Sequence, residues 1–230
     1  RHFSRQEATT HGPIMYWLKD RMHRMVLNRA VKKAKAIITP SKFSKKDIQE
    51  TYKIEADKIK VTYLAPMENK EGNKKTEKQN PLSKPYLLYV GNAYPHKNLD
   101  GLLNAWKIYN RKYSNDYLLV LVGKNSPFYD KILKDKPENI VHKGSINDSE
   151  LANLYNNAIL YVFPSFIEGF GLPPLEAMKH GVPVISSNSS CLPEILQDSA
   201  LFFNPNDSEE IAQKINKAIE EKELRKKLIE

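Results

Sequence analysis

A chain of 230 residues has room for one large or two small folded units. At 40% hydrophobic and 27% charged residues its composition is that of an ordinary globular protein, which excludes a collagenous, low-complexity or wholly disordered chain. No apolar run nears the roughly 18 residues of a membrane span, and nothing near Arg1 has the form of a signal peptide. Beginning at Arg1 rather than Met, the sequence reads as a fragment or a processed piece. Cys191 is the single cysteine, so there is no internal disulfide, which fits a reducing compartment. The net charge of +9 is unevenly placed: residues 1–84 carry 20 basic and 9 acidic side chains, and residues 85–230 carry 16 and 18. A basic stretch of that kind can face nucleic acid, an anionic membrane or a phosphorylated substrate, or it can be a solvated surface. No base-reading motif accompanies it.

In chain order, the first third predicts a basic amphipathic helix over about 14–34, a strand over 36–39, a helix opened by Ser44 with Asp47 three residues on, and a strand over 59–63. The stripe Trp17, Met22, Met25 and Val26 on the first helix reads as core. Two strands and two helices cannot cover both faces of a sheet, so residues 1–65 read as the end of a domain, and the polar stretch 66–84 as a linker. From residue 85 onward, short apolar runs at 86–90, 117–122, 140–141, 159–163, 182–185 and 201–203 alternate with helical spacings. These are Leu99, Leu102, Leu103 and Trp106, then Leu151, Leu154, Tyr155 and Ala158, then Ile211, Ile215, Ala218 and Ile219. Near-continuous apolar strands between helices predict a parallel sheet covered on both faces, a doubly wound α/β domain over 85–230. Gly91, Gly123 and Gly144 each follow a predicted strand, where an open α/β sheet binds its ligand; each also fits a tight turn.

The most informative segment is PSFIEGFGLPPLEAM, residues 164–178. It follows an apolar strand, bends at Gly169 and Gly171, and starts a helix with proline in the first turn. The N–H groups of Phe170, Gly171 and Leu172 at that helix end would suit a phosphate. Glu168 precedes them and Glu176 lies about one turn inside the helix. Two carboxylates would repel a phosphate they faced, and make sense if they accept hydrogen bonds from flanking hydroxyls, as on a sugar and a ribose. Read singly, they are equally a loop acid and a solvated helix residue.

This segment resembles the E-x7-E signature of the retaining glycosyltransferases of family 4 (glycosyl transferases group 1), in the form common among mannosyltransferase-like members, with Glu168 and Glu176 at the two acidic positions. The resemblance runs on through Tyr89-Val90-Gly91 and Pro95-His96-Lys97-Asn98-Leu99, through Leu119–Lys124 and Val141–Ser145, and back to Ala36–Ser44 and Lys58–Val61. It implies the GT-B fold of two facing Rossmann-like domains, with residues 85–230 as the domain that binds a nucleotide-sugar donor and residues 1–65 as the remnant of the acceptor side. It implies that Lys97 neutralises the donor diphosphate, Glu168 contacts the transferred sugar, Glu176 holds the ribose hydroxyls, and the backbone at Gly144 and Ser145 meets the base, while the amides after Gly169 bind phosphate. Gly91, Asn92, His96 and Gly123 complete the implied donor site. Two positions depart from the pattern: Asn92 stands where many relatives have Arg, and His96 where the family has Arg, so His96 adds charge only when protonated.

The expected activity is transfer of a hexose, mannose favoured, to a glycan or lipid-linked acceptor, by a mechanism that needs no protein nucleophile. Neither a cofactor nor a metal is expected, since His2, His11, His23, His96, His142 and His180 show no ligand spacing. Walker, dinucleotide and nucleophile-elbow motifs are also missing. Cys191 is expected to pack rather than react. A cytoplasmic location is expected, with the basic first helix available to the inner face of the cytoplasmic membrane and no nucleic acid bound. Two alternatives stay open: a basic, non-enzymatic module for nucleic acid or membrane surfaces, with steeply salt-dependent binding, and a sugar-nucleotide epimerase of the same fold.

Overall fold

A computed structural model describes residues 13–66, 82–134 and 136–229. The expected start of the chain and most of the expected linker lie outside these residues.

The N-terminal segment comprises α1 (Pro13–Lys33), β1 (Ile37–Thr39), α2 (Lys42–Tyr52) and β2 (Ile59–Val61). β1 and β2 pair in parallel with Ile37 opposite Ile59. Helix α2 starts two residues before the expected Ser44. Ser41, in extended conformation, is its cap, and its Oγ accepts from the Ser44 N–H at 3.0 Å. Ser44 is therefore the residue that is capped, which leaves its own hydroxyl for another partner. The C-terminal end of α1 is closed by Lys58, whose Nζ donates to the carbonyls of Val31 and Lys32 at 3.0 Å each. The α1 stripe expected as core is open instead: Trp17, Met22, Met25 and Val26 are 46 to 64% exposed. A sheet of two strands is too narrow to receive a helix of 21 residues, and Ile38 on β1 is exposed as well.

The remainder alternates strand and helix: β3 (Tyr86–Val90), α3 (Leu99–Lys112), β4 (Leu118–Val122), α4 (Pro127–Leu133), β5 (Ile140–His142), α5 (Asp148–Asn157), β6 (Leu160–Phe163), α6 (Leu172–Lys179), β7 (Val184–Ser187), α7 (Leu192–Leu196), β8 (Ala200–Phe203), α8 (Ser208–Glu220) and α9 (Lys222–Lys227). Six strands form one all-parallel sheet in the order β5-β4-β3-β6-β7-β8. Alternation along each strand feeds two cores. Leu87, Tyr89, Leu119, Leu121, Leu160 and Val162 pack with α3 and α8, through Trp106, Tyr109, Ile211 and Ile215. Tyr86, Leu88, Val120, Val122, Tyr161 and Phe163 pack on the other face with Leu154, Tyr155, Ala177 and Leu192. This is the doubly wound α/β architecture expected.

β7 sits two residues later than its apolar run. Pro183 has no N–H for the ladder but its carbonyl accepts from the Tyr161 N–H, and the strand continues into Ser186 and Ser187, both fully buried. Helices α4, α7 and α9 were not signalled by periodicity. α4 is set by a local cap, the Ser126 Oγ accepting from the Tyr129 N–H at 3.3 Å, with Pro127 following. Strand order reverses between β3 and β6, so the crevice at their carboxyl ends is the topological switch point. The loops leaving those two strands carry Lys97 and Glu168.

Candidate functional site

The floor of the crevice is backbone. The Gly91 N–H donates to the Val122 carbonyl at 2.9 Å and the Gly123 N–H to the Gly144 carbonyl at 3.0 Å, while the Tyr129 hydroxyl donates to the Gly91 carbonyl at 2.8 Å. A Cβ on Gly123 would lie 1.9 Å from the Gly91 oxygen, so the space beside Gly123 is already filled by protein. Gly144, at φ +67°, turns the chain out of β5 into the exposed Ser145. Asn92 completes its own loop: its side-chain oxygen accepts from the Tyr94 N–H at 3.2 Å and its carbonyl from the Tyr89 hydroxyl at 2.7 Å.

After β3, Pro95–Lys97 make one tight turn that ends at Asn98, a left-handed residue (φ +54°). Asn98 is buried, and its Nδ2 donates to the carbonyls of Pro164 at 3.1 Å and Pro205 at 2.7 Å. That clamp aims Lys97 across the crevice. Its Nζ lies 2.6 Å from Glu168 Oε1, with the two side chains only 16% and 12% exposed, and 5.7 Å from the centre of the Phe163 ring. His96 stacks on Tyr94 with ring centres 6.0 Å apart. Burial, and then the charge of Lys97, hold the His96 pKa below its usual value against the opposing pull of Glu168, so the imidazole is neutral at pH 7.

Glu168 is gripped through its own peptide groups. Its N–H donates to Ser190 Oγ at 3.0 Å, and its carbonyl accepts from Cys191 Sγ at 3.3 Å. The next carbonyl, that of Gly169, accepts from Ser41 Oγ at 2.8 Å and Ser44 Oγ at 3.2 Å. Gly171, at φ +91°, caps α6, and a Cβ there would meet Leu192 at 2.8 Å. Pro173 and Pro174 have no N–H, so the amides offered at this helix end are those of Phe170, Gly171 and Leu172. The Phe170 ring is buried, 6.3 Å from that of Tyr63. Inside α6, Glu176 Oε2 accepts from the Tyr155 hydroxyl at 3.4 Å. Burial, aided by Glu176, raises the pKa of that phenol, which keeps its proton at neutral pH.

The two acids thus differ: Glu168 faces a cation and Glu176 a neutral phenol. The structure brings Lys97, His96, Glu168 and the 169–172 amides to one crevice, with Gly91, Asn92 and Gly123 at adjoining strand ends and Gly144 and Ser145 at the β5 edge. Sequence reasoning missed Asn98, Ser190, Tyr155 and the contacts of Ser41, Ser44 and Tyr63. Cys191 packs as expected, its thiol pushed up to about 11 by burial. The Ser165 hydroxyl is buried without a partner among the described residues. Among the described residues, no group of three or more His, Cys, Asp or Glu could hold a metal ion, and no helix is long and apolar enough to cross a membrane.

A doubly wound parallel sheet with a lysine–glutamate pair and a helix N-terminus at its switch point defines an α/β protein with a candidate binding site at the strand ends. Residues 70–230 match the family model for glycosyl transferases group 1, and the chain belongs to that family. It is 36% identical over 220 residues to the O-antigen chain mannosyltransferase B of Escherichia coli, covering 90% of this chain and 58% of that protein. It is 35% identical over 214 residues to the O-antigen chain mannosyltransferase RfbU of Salmonella typhimurium, covering 88% and 57%. The chain therefore spans somewhat over half the length of these relatives. Among solved structures, a glycosyltransferase from Rickettsia africae superimposes with a TM-score of 0.69 at 24% identity, covering 85% of this chain and 56% of that one. Anabaena HepE, solved with UDP and glucose, superimposes with a TM-score of 0.72 at 19% identity, covering 90% and 59%.

Proposed function

We propose that the chain carries the donor site of a retaining glycosyltransferase that moves a hexose, mannose favoured, from a nucleoside-diphosphate sugar to a glycan or lipid-linked acceptor. On this reading residues 85–230 are the donor domain, residues 1–65 belong to the acceptor side and residues 66–84 link them. The observation that carries it is the Lys97–Glu168 pair, largely buried at the switch point beside the amides of residues 170–172. A buried pair is stable while both members stay together and costly when one is left alone. A diphosphate and a sugar satisfy both at once: Lys97 turns to the phosphates, and Glu168 accepts hydrogen bonds from sugar hydroxyls instead. The amides of Gly171 and Leu172 add neutralisation without a titratable group. Glu176, one turn along and with no ion-pair partner among the described residues, accepts from the ribose hydroxyls.

The reaction breaks the bond from the anomeric carbon to the diphosphate oxygen. The acceptor oxygen bonds to that carbon on the same face, and its proton passes to the leaving phosphate. Lys97 stabilises the charge that develops on the leaving group. The mannose assignment leans on the names of the relatives, which are mannosyltransferases of O-antigen chains.

Titration of GDP, UDP and ADP into the protein by calorimetry tests the reading. At least one is expected to bind more tightly than about 1 mM, and binding is expected to be lost in Lys97→Ala combined with Glu176→Ala. Failure of all three nucleotides, or binding that survives the double substitution, contradicts the assignment.

A further inference from the structure

Helix α7 has five residues, yet its two ends hold different parts of the molecule. At the leading end, Ser190 and Cys191 take the N–H and the carbonyl of Glu168. Ser190 does this from a left-handed backbone (φ +57°), a conformation that a serine adopts only under local constraint. Further on, the Glu194 carboxylate meets the N-terminal segment. Oε1 accepts from the Lys42 N–H at 2.7 Å, Oε2 from the Phe43 N–H at 3.0 Å, and Oε1 also from the Tyr63 hydroxyl at 2.9 Å. A carboxylate astride the first turn of a helix makes charge-assisted bonds with orphan amides and complements the helix dipole. Lys42 and Phe43 adjoin Ser41 and lie just before Ser44, the two residues whose hydroxyls reach back to the Gly169 carbonyl.

The contacts close a circuit: Glu168 to Ser190 and Cys191, along α7 to Glu194, across to the start of α2, and through Ser41 and Ser44 to Gly169 beside Glu168. Nothing in the sequence order joins these parts, since Lys42 and Glu194 are 152 residues apart. Every bond in the circuit is polar and directional, so sliding α2 against α7 breaks bonds rather than repacking apolar surface. The position of Glu168 is tied to the seating of the N-terminal segment through Ser41 and Ser44, which Glu194 seats by holding the start of α2.

We propose that Glu194 is a positioning residue: by anchoring the start of α2 and Tyr63, it couples docking of the N-terminal segment to the placement of Glu168. The coupling rests on the donor-site reading for its catalytic consequence, but the mechanical link does not. Docking and the chemistry then become one event, because an undocked N-terminal segment leaves the Gly169 carbonyl without its two hydroxyls and lets the 168–172 loop drift from Lys97.

The test uses the full-length protein with Glu194→Ala, Glu194→Gln, the pair Ser41→Ala with Ser44→Ala, and the combination of that pair with Glu194→Ala. Hydrogen exchange of the 166–172 amides reads the link directly. Exchange is expected to be about tenfold faster in Glu194→Ala and in the serine pair. The combined variant is expected to be no faster than the faster of the two, because Glu194 acts on the loop through the seating of Ser41 and Ser44. Glu194→Gln, which keeps an acceptor, is expected to restore most of the protection. In sugar transfer, kcat is expected to fall about tenfold while the donor KM stays within about threefold, the split expected when a loop is misplaced rather than a binding group lost. Unchanged exchange in Glu194→Ala, or additive effects in the combined variant, overturns the coupling. A wild-type protein that transfers no sugar and binds no nucleotide overturns the donor-site reading instead, and the exchange data still decide the link.

Discussion

Helices α8 and α1 contain apolar side chains at comparable spacing and use them in opposite ways. α8 buries Ile211, Ala212, Ile215, Ala218 and Ile219 against α3 and the sheet, whereas α1 leaves Ile14, Met15, Trp17, Met22, Met25 and Val26 exposed. Both sequences read as amphipathic; the difference is the surface on offer. Six parallel strands present a broad apolar face on each side, and two strands do not. The same contrast separates the two walls of the crevice. The β3 wall is held by backbone packing around Gly91, Gly123 and Asn98. The Glu168 wall is held by hydroxyls, a thiol and a carboxylate, three of which belong to or reach the N-terminal segment.

The largest expected effect breaks the backbone-held wall. Gly123→Ala drives a methyl into the Gly91 carbonyl with no flexible side chain to yield, and a loss of about 4 kcal/mol or outright failure to fold is expected in chemical denaturation. Near-normal stability would show that the strand ends can part. Next comes the pair of helices: Ile215→Ala on α8 is expected to cost about 3 kcal/mol, and Met22→Ala on α1 less than about 0.5 kcal/mol. Equal costs in the full-length protein would mean that both helices are covered there. Asn98→Ala strips donors from two buried carbonyls and puts alanine at positive φ, which is expected to cost about 2 kcal/mol and to weaken nucleotide binding through Lys97.

The smallest effect is that of pH. Burial lowers the pKa of both His96 and His180 below the ordinary value of 6.5, seconded by Lys97 and Lys179 respectively. Each binds protons more readily when unfolded, so its stabilising contribution is complete above pH 6.5 and is lost as pH falls through the depressed folded value. Melting temperature is expected to decline on acidification below pH 6.5, with a shallower decline in His96→Gln.

The sheet was legible in the sequence because parallel strands buried on both faces are continuous apolar runs, and five of the six fall within one residue of their runs at both ends. β7 slipped because Pro183 removes an N–H and Ser186 and Ser187 extend the strand with polar residues that a hydrophobic pattern passes over. α2 slipped because Ser41 and Ser44 are both capping residues and only the backbone decides between them. Of the site, Lys97, Glu168, Glu176 and the 169–172 turn were marked by family resemblance and by glycine and proline chemistry. Their pairing was not, nor were Asn98, Ser190 and Glu194. A single sequence carries local periodicity and caps, but it does not say which carbonyl a side chain will meet more than a hundred residues away.

On the proposed reading, Lys97 is held by Glu168 until a diphosphate takes it. Calorimetric affinity for the preferred nucleoside diphosphate, compared among wild type, Lys97→Ala and Glu168→Gln, tests it most directly. Lys97→Ala is expected to weaken binding, and Glu168→Gln, which removes the competing carboxylate, to tighten it. Weakening by both substitutions, or a change from neither, would contradict the exchange of partners at the switch point.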